Sequence, residues 1–216
     1  RRLSWTAQDE QGDAREDIFR PSPSFSMFGA PLDVSSSFRP GTALAPARIR
    51  EASQSLEEYS RELDLDIRDV YLEDLGDLVL PAGDPAGSLK APEETCRALA
   101  ARCSIPVILG GEHLVTLPAV RAMRDIFGPR LAVIYFDAHA DLRDEYLGVP
   151  YSHAAAARHL CNVVGPASLF QIGVRSGARD EWKFAEDAGV LQLPVSCDSL
   201  DQIAGRLKAG SRVHVS

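Results

Sequence analysis

Leu131-Ala132-Val133-Ile134-Tyr135-Phe136-Asp137-Ala138-His139-Ala140-Asp141 is the stretch on which the fold turns. Its first six residues form a continuous apolar run without polar alternation. That pattern describes a short strand buried on both faces, as in a parallel sheet covered by helices. The run then changes abruptly to three ionisable residues separated by alanines. Ligands of open parallel sheets bind beyond the carboxyl ends of the strands, so the same change also places a candidate site.

Working outward, the alternation continues on both sides. Downstream, 153–164 reads as a helix, 168–174 as a strand, 180–188 as a helix and 190–194 as a strand. A helix over 199–208 follows, and 212–216 opens another strand. Upstream, 117–127 is helical, 105–109 is a short apolar strand, and 92–102 is a helix with Pro92 in its first turn. Further back, 70–80 reads as strand and turn, followed by a Pro/Gly loop through Pro85. Residues 47–63 have helical spacing, 34–46 form a Ser/Pro/Gly loop, and 25–33 suit a first strand. Residues 1–24, polar and containing Pro21 and Pro23, read as an extended arm. The expectation is α/β: one domain over 1–216, its parallel sheet sandwiched between helices. Residues 213–216 look like a strand just begun, and a domain rarely ends there, because backbone groups would stay unpaired. More chain is therefore expected after Ser216, and an opening at Arg1 rather than methionine suggests a trimmed start.

The chain has 216 residues with 23 basic and 31 acidic side chains, a formal charge of −8. No basic stripe is present to neutralise phosphates, which argues against a nucleic-acid partner. The acidity would suit a small cationic substrate. No apolar run approaches the ~20 residues of a membrane helix, and the N-terminus lacks a signal peptide's apolar core. A cytoplasmic enzyme is the expectation. Cys96, Cys103, Cys161 and Cys197 make no CxxC pair. Cys96 and Cys103 could face the same way on a helix, and the plain reading of all four is buried thiols in a reducing compartment.

Two sets of residues at strand ends could do chemistry. In Gly110-Gly111-Glu112-His113 the glycines permit a tight turn that presents His113 at the sheet edge, although a lone histidine there is more often structural. In Asp137-Ala138-His139-Ala140-Asp141, extended backbone would point Asp137, His139 and Asp141 the same way. Three ionisable groups crowded at the end of a buried strand are costly without a compensating cation. The bland alternative makes Asp141 a helix cap and Asp137 an acceptor of backbone N–H groups. Carboxylates mixed with imidazole favour Mn²⁺ over Mg²⁺ and leave Zn²⁺, Fe²⁺, Co²⁺ and Ni²⁺ as alternatives, and no thiolate points to a soft site. Such a cluster can hold two ions about 3.5–4 Å apart. His153, following Pro150 at a helix start, could be a ligand, a proton shuttle or a residue of the first turn. His159 and His214 carry no such signal.

Gly111-Glu112-His113 and Asp137-Ala138-His139-Ala140-Asp141 resemble the first two metal motifs of the ureohydrolases, the family of arginases and agmatinases. The likeness extends to Gly29-Ala30-Pro31-Leu32-Asp33, Phe38-Arg39-Pro40-Gly41 and Ala45-Pro46-Ala47-Arg48-Ile49-Arg50-Glu51. It continues through Leu56-Glu57-Glu58-Tyr59-Ser60 and Leu75-Gly76-Asp77. Tyr151-Ser152-His153 and Ile172-Gly173-Val174-Arg175-Ser176-Gly177 are especially similar to bacterial agmatinases. The resemblance implies a three-layer α/β/α fold around an eight-stranded parallel sheet, commonly in trimers or hexamers. It also implies two Mn²⁺ ions and hydrolysis of a guanidinium group to urea and an amine. Carried over, His113, Asp137 and Asp141 would bind one ion. His139 would help bind the other with Asp137 bridging, and His153 would be the proton shuttle. Ser216 matches the serine of an SxDxD-like motif whose aspartates, with a later glutamate, do not occur here. The domain is thus expected to be incomplete, and the 216-residue chain by itself inactive.

Agmatine is the expected substrate, partly because Glu112 stands where arginases more often have aspartate. The alternatives are an arginase, a guanidinobutyrase, or an inactive subunit that keeps the fold. A metal-dependent deacetylase is a weaker rival, since its tandem histidines are not evident.

Overall fold

In the computed structural model, which describes residues 24–216, the run at 131–136 is a central strand, β6 (Leu131–Phe136). It lies between β7 (Leu169–Ile172) and β9 (Arg212–Val215), and β8 (Leu191–Leu193) extends the sheet beyond β7, with every pairing parallel. A second parallel sheet has β1 (Ser24–Ala30) between β4 (Tyr71–Asp77) and β5 (Ser104–Gly110). Helices connect the strands: α3 (Lys90–Ala101), α4 (Thr116–Phe127), α5 (Ala156–Val164), α6 (Arg179–Ala188) and α7 (Cys197–Arg206). The α/β class expected from the apolar runs is the class observed. The arm assigned to 1–24 lies outside the described residues, apart from Ser24, which opens β1.

The resemblance implies eight strands in one sheet for a complete domain. Seven parallel strands divide into sheets of three and four, and β5 and β9 present unpaired edges to one cavity of about 1070 Å³. One apolar core nevertheless spans both sheets. Phe28 of β1 and Tyr135 of β6 are fully buried in the same cluster as Leu114, Leu117 and Leu160. At about 25 cal/mol per Å² of apolar surface, each such side chain contributes about 2 kcal/mol. The two sheets are therefore joined through side chains rather than through a backbone ladder. A smaller cluster of Ala132, Phe170, Ile172 and Ile203 anchors α7.

Other departures are local. The helix expected over 47–63 is α1 (Ala45–Ser53), and the rest is a hairpin of β2 (Tyr59–Ser60) and β3 (Leu65–Asp66). Ser53-Gln54-Ser55 ends the helix, since short polar side chains compete for its backbone groups; Ser53 and Ser55 both donate to carbonyls three residues back. Asp64, at φ 51, makes the hairpin turn and accepts the Tyr59 hydroxyl. The first strand stops at Ala30, before Pro31 and Asp33. A single turn, α2 (Pro85–Ser88), begins at the last residue of the expected Pro/Gly loop. The shared face for Cys96 and Cys103 fails. Cys96 is buried on α3, whereas Cys103 follows the helix at φ 57 and is exposed, as is Cys197. Burial pushes the Cys96 and Cys161 thiols up to about 12.

Strand ends converge where the site lies. The Gly111 N–H donates to the Ala30 carbonyl and the Glu112 N–H to the Leu32 carbonyl, tying the turn after β5 to the turn after β1. The Asp137 N–H donates to Ile172, and Phe136 and Ser216 exchange with the neighbouring backbone at the end of β9.

Candidate metal centre

Asp137, the first residue past β6, accepts from two histidines. Its Oδ2 lies 2.6 Å from His113 Nδ1. Its Oδ1 accepts the His139 backbone N–H at 2.8 Å and lies 3.1 Å from His139 Nδ1. Burial opposes ionisation of Asp137, but these bonds, the one from His113 foremost, outweigh it and hold the carboxyl at about 2.

Asp141 is buried, and its Oδ2 accepts the Tyr135 hydroxyl at 2.8 Å while standing 3.8 Å from His113 Nδ1. Burial, and then the charge of Asp137, push its carboxyl up to about 6 against the Tyr135 bond. Donor atoms of His113, Asp137 and Asp141 all lie within 4.8 Å of one another. Donors around one ion with bonds of about 2.0–2.3 Å sit at most about 4.6 Å apart, so little side-chain movement separates this cluster from a coordination shell. The donor set fits a divalent metal ion. Two crowded carboxylates, one of them disfavoured as an anion by its surroundings, are what a cation in their midst would stabilise.

Alternation along an extended strand is not what gathers these residues. The His139 N–H bonded back to Asp137 turns the chain immediately after β6, and Asp141 has φ 49, outside the extended region. The loop is held from beyond β7. The Arg175 and Ser176 N–H groups donate to the Ala138 carbonyl, and the Ala140 N–H donates to Ser176. From α6, the buried Glu181 accepts the Leu142 N–H at 3.0 Å and the Ala178 N–H at 2.7 Å. Residues 172–177, singled out as a motif, thus brace the site rather than enter it.

His113, Asp137 and Asp141 are brought together as expected. His139 adjoins them through Asp137, but its side chain is 66% exposed. His153 is outside the cluster. It opens a 3-10 turn, its Nδ1 lies 3.0 Å from Ser35 Oγ, and its ring stands edge-on to Tyr146 at 5.8 Å. His159 stacks on Tyr151 and bonds the Pro150 carbonyl, and His214 lines the cavity between the sheets.

Sequence reasoning missed Tyr135, Ser35, Thr116 and Glu181. Tyr135 could have been found, because it stands two residues before Asp137 on a strand and so shares its face. Ser35 lies in a loop remote in sequence, and nothing in the chain's pattern marks it. Ser216 Oγ is 2.9 Å from His113 Nε2 and 2.5 Å from Thr116 Oγ1, so the other nitrogen of the His113 ring is also held.

Comparison with known proteins shows what the chain is similar to. The arginase family model matches residues 23–216. The agmatinase of Halalkalibacterium halodurans is 42% identical over 191 residues, covering 88% of this chain and 65% of that protein. The agmatinase of Bacillus subtilis is 42% identical over 164 residues, covering 76% and 56%. The chain thus spans between 56% and 65% of the length of these two relatives. Among solved structures, the agmatine ureohydrolase of Thermoplasma volcanium superposes with TM-score 0.79 at 30% identity, covering 89% of this chain and 66% of that one. The proclavaminate amidino hydrolase of Streptomyces clavuligerus does so with TM-score 0.79 at 25% identity, covering 89% and 67%.

Proposed function

The chain belongs to the arginase family, and from that premise we propose that it forms the metal-binding part of an agmatinase-type ureohydrolase, hydrolysing agmatine to putrescine and urea. The observation that carries this reading is the convergence of His113, Asp137 and Asp141 within 4.8 Å. The two agmatinase relatives at 42% identity favour agmatine over other guanidino compounds. His113, Asp137 and Asp141 would hold one Mn²⁺. His139, with Asp137 shared, would contribute to a second, since each Asp137 oxygen already faces a different imidazole. Bound divalent ions supply Lewis-acid chemistry, lowering the pKa of water toward neutrality so that it can attack an electrophilic carbon.

The chain's own residues prepare for this. Tyr135 and Ser216 fix the His113 ring and Tyr135 fixes the Asp141 carboxylate, so the donors are oriented before an ion arrives. His153 would deliver a proton to the departing amine. The substrate would be a small guanidino cation, and the assembly a homo-oligomer, trimeric or hexameric. Among the described residues no helix is long and apolar enough to cross a membrane.

A second reading, a metal-binding chain without turnover, draws support from the exposure of His139, whose only ion-pair partner among the described residues is Asp137. The deciding experiment measures manganese bound, and urea released from agmatine, arginine and guanidinobutyrate, by the full gene product. Agmatine is expected to be the preferred substrate. Preference for arginine would reject the substrate, and failure of the full gene product to bind manganese would reject the whole reading.

A further inference from the structure

Glu112 is buried although it bears a carboxylate, and both of its oxygens face one residue. Oε2 accepts the Ser35 backbone N–H at 3.0 Å and Oε1 the Ser35 hydroxyl at 2.9 Å. Ser35 Oγ in turn accepts the His153 backbone N–H at 2.9 Å and lies 3.0 Å from His153 Nδ1. The three residues come from the turns after β1 and β5 and from the start of the α5 segment.

A serine hydroxyl has a single hydrogen to donate. Two acceptors compete for it: the Glu112 carboxylate and the ring nitrogen of His153. Hydrogen bonds to a charged acceptor are about twice as strong as those between neutral groups, so the hydrogen goes to Glu112. The short contact to His153 then closes only if Nδ1 carries a hydrogen and donates it to Ser35 Oγ. We infer that Glu112 and Ser35 are positioning residues that set the tautomer of His153, keeping its hydrogen on Nδ1 and leaving Nε2 as the nitrogen able to take up a proton. The use of that nitrogen rests on the proton-transfer role proposed above; the tautomer itself does not.

The local chain is built to hold this relay. Gly111 lies so close to the turn after β1 that an added Cβ would stand 1.9 Å from the Leu32 carbonyl oxygen. That approach lets the Glu112 N–H reach Leu32 and sets its side chain beneath Ser35. Glu112 therefore joins His153 to the same turn that presents His113. An aspartate at this position would fall one methylene short of Ser35.

The test is ¹⁵N NMR of the 216-residue chain labelled at histidine, without substrate or added metal. The pH is held near about 8, above the ordinary histidine pKa of about 6.5. Loss of a signal in His153→Gln assigns the ring. The wild type is expected to show a protonated Nδ1 and a pyridine-type Nε2. In Glu112→Gln the amide N–H donates to Ser35 Oγ and turns the serine hydrogen toward Nδ1, so the tautomer inverts to Nε2–H. Ser35→Ala releases the ring to the mixture of free imidazole, while Ser35→Thr keeps the hydroxyl and the Nδ1–H form. Unchanged His214 signals report that a variant has kept its fold. An Nε2–H tautomer in the wild type, or an Nδ1–H form that survives both Glu112→Gln and Ser35→Ala, overturns the inference. The wild-type spectrum decides alone if a variant does not fold. Absence of urea release with an Nδ1–H tautomer would reject the activity and leave the relay standing.

Discussion

The His113 imidazole lies flat on the Tyr135 phenol ring, with centroids 4.0 Å apart and planes 9° from parallel. The same phenol donates to Asp141 at 2.8 Å. One buried side chain of β6 therefore sets the orientation of two of the three clustered donors, one from each sheet.

Replacing Tyr135 by Phe keeps the stack and removes only the hydroxyl. The Asp141 oxygen loses a buried donor, which costs about 1–3 kcal/mol of folding stability. Loss of such outer-layer support lowers metal affinity by about 10- to 100-fold. Chemical denaturation and manganese titration of the same preparations measure both effects. Unchanged manganese affinity would mean that Tyr135 serves packing alone.

Asp141→Asn is expected to separate binding from stability. Burial and the neighbouring Asp137 both disfavour the Asp141 anion, so its charge destabilises the metal-free fold at neutral pH. The amide removes that charge and should raise the melting temperature of the metal-free chain while abolishing measurable manganese binding. A lower melting temperature without metal would show that the anion is stabilised by something beyond the Tyr135 bond.

Gly111→Ala should be among the most damaging single-methyl additions in the chain. Its Cβ has no room beside the Leu32 carbonyl, so either the Glu112–Leu32 bond breaks or the turn shifts. Strain of this kind costs about 1–3 kcal/mol. The turn carries both His113 and Glu112, so manganese binding and the His153 tautomer should change together.

His214 predicts part of the acid limb of the stability curve. Burial, and then the charge of His113, lower its pKa from 6.5 to about 4. The folded state thus binds fewer protons than the unfolded state between those values, and stability is full above about pH 6.5 and falls as pH drops toward 4. Water in the adjoining cavity reduces the effect, leaving about 1–2 kcal/mol. His214→Gln should flatten denaturation midpoints across this window. An unchanged slope would assign acid sensitivity to the carboxylates instead.

The sequence made the strand at 131–136 and the donors beyond it legible because burial on both faces and a cluster of ionisable groups leave direct marks on residue type. The alternation of helices and strands from 105 onward was readable for the same reason. The helix after Ala45 was overextended because its apolar spacing continues into the hairpin, while only the Ser53-Gln54-Ser55 break marks its end. The turn at Asp141 was hidden because it depends on hydrogen bonds from residues 175 and 176, supplied by another strand's end. Ser35 was hidden too, since its importance comes from Glu112 and His153, 77 and 118 residues away.

The metal centre joins the two sheets of the described residues. His113 hangs from one plate of strands, Asp137 and Asp141 from the other, and among the described residues no backbone ladder joins β5 to β9 across the seam. An ion gripped from both sides is a rivet. Opening the seam would tear donors from it, so occupancy resists hinging by RT ln(1 + [ion]/Kd). Amide protons of β1 and β6, which report motion of the two plates, should then slow their exchange together on adding manganese, although neither strand supplies a donor to the metal.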